Sequence, residues 1–274
     1  MLRVLILVTA LFFSLPAQAD DHQSAFDRVM ATNTLRCGYA VATPWFSVDP
    51  NTKAMSGVSF DVTNAVAAKL GVEVKWVEET DWGLAEQGLV AGRYDMMCGS
   101  VCVDPRRARA ATYSKPFQHV PTLAVVKAED HRFDAGLASL NDPAVRIGVK
   151  AGHVFEFITD ELFPRAQKIY ANSLSDDTEF FLMLDSNKID VAFAGQVTVD
   201  MYDKQSPGKV RSLSDGVRYC NGAFMVPLGD DRLKLMVDNA LDELNTDGRL
   251  EAIFSRYMPL DPRYVRAPAK PYKE

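Results

Sequence analysis

The residues richest in chemistry lie in 97-MCGSVCVDPRRARAATYSKPF-117. Cys98 and Cys102 bracket a Gly-Ser turn, and Arg106, Arg107 and Arg109 follow closely. Such a set can ligate a metal, form a redox pair, grip phosphates or cradle a small anion. Zinc fits poorly. Structural zinc prefers tightly spaced cysteine pairs with histidines at short spacing. Here the pair is C-x3-C, and His22, His119, His131 and His153 are scattered. Nucleic acid also fits poorly. The chain carries 30 basic against 36 acidic residues, net −6, and a polyanion demands a basic face. The arginine cluster is therefore a local feature. No Ser-His-Asp order, phosphate loop or metal spacing points to another catalytic class, and no cofactor is implied.

Four cysteines, Cys37, Cys98, Cys102 and Cys220, allow three complete pairings. Sequence alone does not choose among them, and buried thiols acting as small hydrophobes are the bland alternative. The N-terminus bears on the compartment. Arg3, an apolar run over residues 4–15 and the small-residue site Ala17-Gln18-Ala19 make the layout of a secretory signal over residues 1–19, cleaved near Ala19. The apolar run is short for a membrane span, and no cysteine stands at the cleavage point to carry a lipid. Without Arg3 the mature net charge is −7. Disulfides are permitted in an exported chain.

The elements that must position these residues follow an alternating rhythm. Residues 35–41 (LRCGYAV) read as a strand. In 60–70, Ala65, Val66 and Leu70 share one helical face, and Gly71 ends it. Residues 72–79 alternate as a strand. Asp81 can cap the next helix and Gly92 stops it, and 94–100 (YDMMCGS) is a third strand. This βαβαβ order predicts a parallel sheet with helical crossovers. A second run begins with the strand 145–152, then a capped helix over 175–188 with Phe180, Phe181 and Leu184 inward, then the buried strand 189–195. Two amphipathic helices broken at Gly248 follow, and the proline-rich tail beyond Met258 is expected to wrap the surface without a core of its own. Ligands of open α/β sheets bind beyond the carboxyl ends of strands, which selects 39-YAVATPWF-46, 98-CGSVCVDPRR-107 and 149-VKAGHVF-155.

Taken in order, LRCGYAVATPWFSV, SGVSFDVTNAVAAKLG, the stretch from Gly83 to Phe117, VRIGVKAGH, NKIDVAF and DELNTDGRLEAIFSRYM resemble extracellular solute-binding proteins of family 3, which serve amino-acid ABC importers. The resemblance covers nearly the whole mature chain. It implies a two-lobed α/β fold of the type II periplasmic-binding class, each lobe a mainly parallel sheet flanked by helices. Residues 20–124 and 221–260 would form lobe 1, residues 125–220 lobe 2, and 261–274 a tail. Two strands, about 122–127 and 221–226, would cross between the lobes. The implied function is periplasmic delivery of a small carboxylate-bearing solute to an inner-membrane ABC permease, by a monomer that does not change its ligand.

The resemblance also assigns site residues. Arg107 falls where an arginine binds the ligand carboxylate, a task that suits its planar charged fork. Arg106 and Arg109 are left as solvated surface. Ser100 and Cys102 fall where backbone groups and a small hydroxyl meet the ligand. Cys102 takes a place that is commonly threonine. Either the contact is softened, a thiol being a weak donor, or Cys102 is tied in a disulfide, Cys98 being its nearest partner in sequence. A Cys37–Cys220 pairing stays open. Phe60 falls where an aromatic ring packs on the ligand, ordinary core being the alternative. Thr43 replaces the usual loop aromatic, and Trp45 can supply that face or stack on a cation; a lobe-edge hydrophobe is the alternative. Gly152 and His153 follow the second-lobe strand at a helix N-terminus that suits an anion. His153 would bond the ligand and make binding pH-sensitive, unless it faces solvent. After IDVAFA the family places an aspartate for the α-ammonium, where this chain has Gly195 and then Gln196. The missing counter-charge implies a carboxylate without the amine, or one held by neutral groups such as Gln196. Two other readings remain: a cyclohexadienyl-dehydratase-like enzyme on the same fold, which would need an acid or base in the cleft, and a non-transport partner or sensor protein with a degenerate site.

Overall fold

A computed structural model describes residues 23–268. The expected signal peptide and the end of the tail lie outside the described residues.

Helix α1 (Ala25–Thr32), capped by the Ser24 hydroxyl, leads into β1 (Thr34–Tyr39). A short hairpin, β2 (Ser47–Val48) and β3 (Met55–Ser56), precedes α2 (Val58–Leu70). Val58, Val62 and Val66, one turn apart, bury one face of α2, and Gly71 closes it in the left-handed conformation. Strand β4 (Glu73–Glu79) alternates outward Glu73, Lys75 and Val77 with inward Val74 and Trp76. Helix α3 (Ala85–Val90) returns the chain to β5 (Met96–Cys102). Strand β1 pairs in parallel with β4 on one side and β5 on the other, so the predicted βαβαβ crossovers are present.

After β6 (Ala111–Tyr113), the long β7 (Gln118–Lys127) carries the chain into a second body. There β8 (Arg146–Val149), α4 (Val154–Leu162), β9 (Gln167–Tyr170), α5 (Glu179–Asp185), β10 (Ala192–Ala194), α6 (Gln196–Gln205) and β11 (Val210–Ser212) follow. Phe180, Phe181 and Leu184 of α5 are buried, but the helix is shorter than the sequence pattern suggests. Residues ahead of it form a loop instead. Strand β12 (Arg218–Pro227) returns antiparallel to β7, and α7 (Asp231–Thr246) and α8 (Arg249–Ser255) hinge at a left-handed Gly248.

Each body has its own core. Phe117, just before β7, and Val120 of β7 pack in the first, with α2, α7 and α8. Leu123, Ala124, Val125 and Val126 pack in the second, with α4 and α5. One sheet, in the order β10-β7-β12-β5-β1-β4, runs through both, and the fold is two-lobed with β7 and β12 passing between the lobes. The lobes share a charged device. Buried Asp95, just before β5, accepts hydrogen bonds from the Arg36 backbone and guanidinium and from Arg28. Asp190 does the same for Arg146 and Arg132. Burial alone would raise the Asp190 pKa, but these hydrogen bonds outweigh it and pull it down to about 2.

The four cysteines form Cys37–Cys98, joining β1 to β5, and Cys102–Cys220, joining β5 to β12. The pairing of Cys102 with its sequence neighbour Cys98 does not occur, nor does Cys37 with Cys220. Four residue steps of extended strand separate Cys98 from Cys102 by about 13 Å, far beyond disulfide reach. The tail packs against both bodies and builds no core of its own among the described residues. Val265 is buried in the first core, the Tyr264 hydroxyl donates to Asp200 on α6, and Arg266 exchanges backbone hydrogen bonds with His119 of β7 at 2.8 and 2.9 Å.

Candidate functional site

A cleft partly open to solvent lies between the two cores. Its first wall is the loop after β1. The carbonyls of Pro44 and Trp45 accept from the backbone N–H groups of Val58 and Ser59, so this loop caps α2. Gly57 stands between at φ +119°, and a Cβ there would sit 2.6 Å from the Trp45 oxygen. Only glycine permits that approach, which places Trp45 and Phe46 on the cleft. The Ser59 hydroxyl accepts from the Ser100 backbone N–H at 3.1 Å, and the Gln118 amide donates to Ser100 Oγ. The carboxyl end of β5, α2 and β7 are thereby fastened together. Cys102 and Cys220 line the same floor as a disulfide, so Cys102 offers no thiol.

Of the three arginines, Arg107 alone is buried, 7% exposed. It sits in a single 3-10 turn after β5. Its Nη2 donates to the Gly152 carbonyl across the cleft, and its Nε lies 3.3 Å from the Glu86 carboxylate. The guanidinium also faces the Phe157 ring at 5.6 Å. Nη1 is buried and has no partner. Gly152 explains the close approach. It has φ +68°, and a Cβ on it would stand 2.5 Å from the Gly83 Cα of the other lobe. Its own N–H donates to Glu156 Oε2 at 2.8 Å and is not offered to the cleft.

His153 lines the cleft and is buried rather than solvent-facing. Its Nδ1 accepts from the Phe155 N–H at 3.3 Å, capping α4. The ring lies 5.5 Å from Trp82 of the first lobe and 4.2 Å from Phe155. Burial pushes its pKa down to about 4; Asp177 opposes the shift, and Lys150 and Arg107 add to it. The imidazole is neutral at neutral pH, with its proton on Nε2.

Trp45, Ser100, Cys102, Arg107 and His153 thus converge on one cavity. Phe60, Gly152 and Gln196 are not among its lining residues. Phe60 stacks on Trp76 at 5.4 Å and meets Phe46 edge-on at 6.2 Å; it supports the ring that does line the cleft. Gln196 turns to Asp200 at 2.7 Å, leaving Gly195 and Thr198 at the cavity. Lining residues that escaped the sequence reading include Trp82, Gln118 and Asp177. Gln118 reads as one polar residue in a strand. Asp177 reads as part of a helix cap, yet the loop before α5 reaches the other lobe. Asp176 Oδ2 accepts from the Thr43 N–H at 2.8 Å, and Asp177 Oδ1 lies 2.8 Å from Lys150 Nζ. Lys150 is fully buried and also donates to the Ser175 carbonyl.

The site therefore offers one unspent guanidinium nitrogen, one neutral amide, one carboxylate already tied to a lysine, and an aromatic wall. Such a set binds and orients a small molecule. Among the described residues no cluster of candidate metal ligands occurs, and no helix is long and apolar enough to cross a membrane.

Comparison with known proteins agrees with this geometry. A family model described as bacterial extracellular solute-binding proteins, family 3, matches residues 35–259. An L-arginine-binding protein of Pseudomonas aeruginosa is 25% identical over 244 residues, covering 84% of this chain and 90% of that protein. A probable histidine-binding protein of Campylobacter jejuni is 26% identical over 257 residues, covering 92% and 96%. Among solved structures, an ancestral amino acid-binding protein, a precursor of cyclohexadienyl dehydratase, aligns with TM-score 0.75 at 24% identity, over 86% of this chain and all (100%) of that one. An ancestral arginine-binding protein bound to arginine aligns with TM-score 0.72 at 23% identity, over 83% and 99%. These structures share the two-lobed fold.

Proposed function

This chain belongs to the bacterial extracellular solute-binding proteins, family 3, and we propose that it holds a small carboxylate-bearing solute, an amino acid or a related compound, between its lobes. In this reading the protein works as a monomer in the periplasm after loss of residues 1–19 and hands its ligand to an inner-membrane ABC permease. The names of its relatives, which bind arginine or histidine, support a transport role over catalysis. Residues 20–124 with 221–260 act as one lobe and 125–220 as the other, closing by hinge motion at β7 and β12.

The observation that carries the proposal is Arg107: a buried guanidinium that reaches across the cleft to Gly152 and keeps Nη1 unspent. A ligand carboxylate satisfies that donor with a charge-assisted hydrogen bond. Trp45, Ser100, Cys102 and His153 form the rest of the proposed contact set, to which Gln118 and Asp177 are added. The test is the melting midpoint of residues 20–274 against a panel of carboxylates, amines and amino acids. A ligand at about 100 times its dissociation constant stabilises by roughly 2.7 kcal/mol, worth several degrees in a chain of this size. A shift that Arg107→Ala abolishes supports the proposal. A flat panel contradicts it, and phenylpyruvate formed from prephenate would favour the dehydratase reading.

A further inference from the structure

We infer that the solute is an apolar-bodied carboxylate whose second polar group is an uncharged hydrogen-bond donor, the chemistry of a 2-hydroxy acid, rather than an α-amino acid. The inference rests on the carboxylate-binding reading above. Two buried side-chain atoms on cleft-lining residues lack any partner: Arg107 Nη1, a donor, and Gln118 Oε1, an acceptor. Gln118 is 2% exposed, and its Nε2 is committed to Ser100 Oγ. A buried polar atom is costly until it is paired. The occupant that satisfies both brings an anionic oxygen for the arginine and an N–H or O–H for the amide oxygen.

An ammonium can donate to Gln118 Oε1, but it arrives with a charge. Burying that charge requires a free counter-ion. Asp177 is the only carboxylate among the described residues that line the cleft, and its Oδ1 is held at 2.8 Å by Lys150, which has no exposure to solvent. An ammonium seated on Asp177 would lie beside the ammonium of Lys150. The strand end that offers a second place, Gly195, carries no side chain. The aromatic part of the wall, Trp45, Phe46, Trp82, Phe155 and Phe157, suits a ring or a branched chain.

Calorimetric titration of the purified protein with 3-phenyllactate, phenylalanine, phenylpyruvate and 3-phenylpropionate tests this, together with 2-hydroxyisocaproate against leucine. Within each set the body and carboxylate are constant. The 2-hydroxy acid is expected to bind more tightly than the matched amino acid by on the order of tenfold. Gln118→Glu, which puts a carboxylate where the neutral acceptor stood, should shrink that ratio by a similar factor. Gln118→Met should remove the advantage of phenyllactate over phenylpropionate. If either variant fails to fold, the ranking by the unmodified protein decides. An amino acid or the 2-oxo acid binding as tightly as the 2-hydroxy acid, still dependent on Arg107, overturns this inference and leaves the carboxylate reading standing. Failure of every carboxylate to bind overturns both.

Discussion

Replacing Cys102 and Cys220 together by alanine separates the roles of the two disulfides. Their bond spans 118 residues of sequence, whereas Cys37–Cys98 spans 61. As constraints on the unfolded chain, these separations make them worth about 4.9 and about 4.3 kcal/mol at room temperature. The values are close because the loop term is logarithmic in length. Removing either bond should lower the melting midpoint by roughly 10–20 °C in a chain of this size. The Cys37/Cys98 variant loses somewhat more, since both side chains are fully buried and alanine leaves a void. Ligand binding distinguishes them. Cys102 and Cys220 line the cleft and hold the end of β5, with Ser100, against β12; Cys37 and Cys98 lie inside the first core. Thermal melts and titration with the best carboxylate of the panel should show two destabilised proteins, of which only the Cys102/Cys220 variant has weakened affinity. Unchanged midpoints would refute the chain-constraint estimate. Equal affinity in both variants would refute the scaffolding role of the cleft disulfide.

His153 predicts a pH effect. Its folded pKa of about 4 lies below the 6.5 of an unperturbed histidine. The unfolded or opened form therefore takes up a proton first as pH falls. The stability this neutral ring contributes is complete above pH 6.5, declines between 6.5 and about 4, and is gone below; the full difference is about 3 kcal/mol. Because the ring packs between Trp82 and Phe155 and stays neutral in the folded protein down to about pH 4, ligand affinity should hold from pH 7 to pH 5 and weaken below about pH 4, and His153→Phe should remove that fall in parallel titrations. Lys150→Met removes the partner of Asp177 and of the Ser175 carbonyl. A loss of about 3 kcal/mol in denaturant unfolding is expected, with affinity shifted toward amine-bearing ligands as Asp177 is freed. An unchanged preference would show that Lys150 does not set the charge of the cleft.

Much of the fold was legible because local signals agreed with tertiary packing. The valine spacing of α2, the alternation of β4 and the left-handed Gly71 and Gly248 each have a local physical cause. Arg107 could be singled out only through the family resemblance, which assigns a ligand to the arginine after the third strand; the Gly99-Ser100 pair, expected as a turn, lies inside β5. Other features depend on chain segments far apart in sequence. The disulfide partners of Cys98 and Cys102 lie on β1 and β12, and no local pattern pairs them. Phe60 is aromatic at the expected place, but Trp76, a neighbour only in space, draws it into a stack. Gln196 could reach the cleft until Asp200, one helical turn on, takes its amide. Asp177 replaces none of the charge missing at Gly195, because a buried lysine neutralises it. The tail docks through Tyr264 on Asp200, 64 positions earlier, while Val265 enters the first core.

The most direct measurement is calorimetric titration of the best carboxylate into the unmodified protein, Arg107→Lys and Arg107→Ala. One charge-assisted hydrogen bond of about 1.5–3 kcal/mol predicts a loss of roughly 10- to 100-fold for alanine. Lysine, which keeps the charge without the planar fork, should fall between. Equal affinity across all three proteins would show that Arg107 only latches the lobes together and that the ligand is held elsewhere.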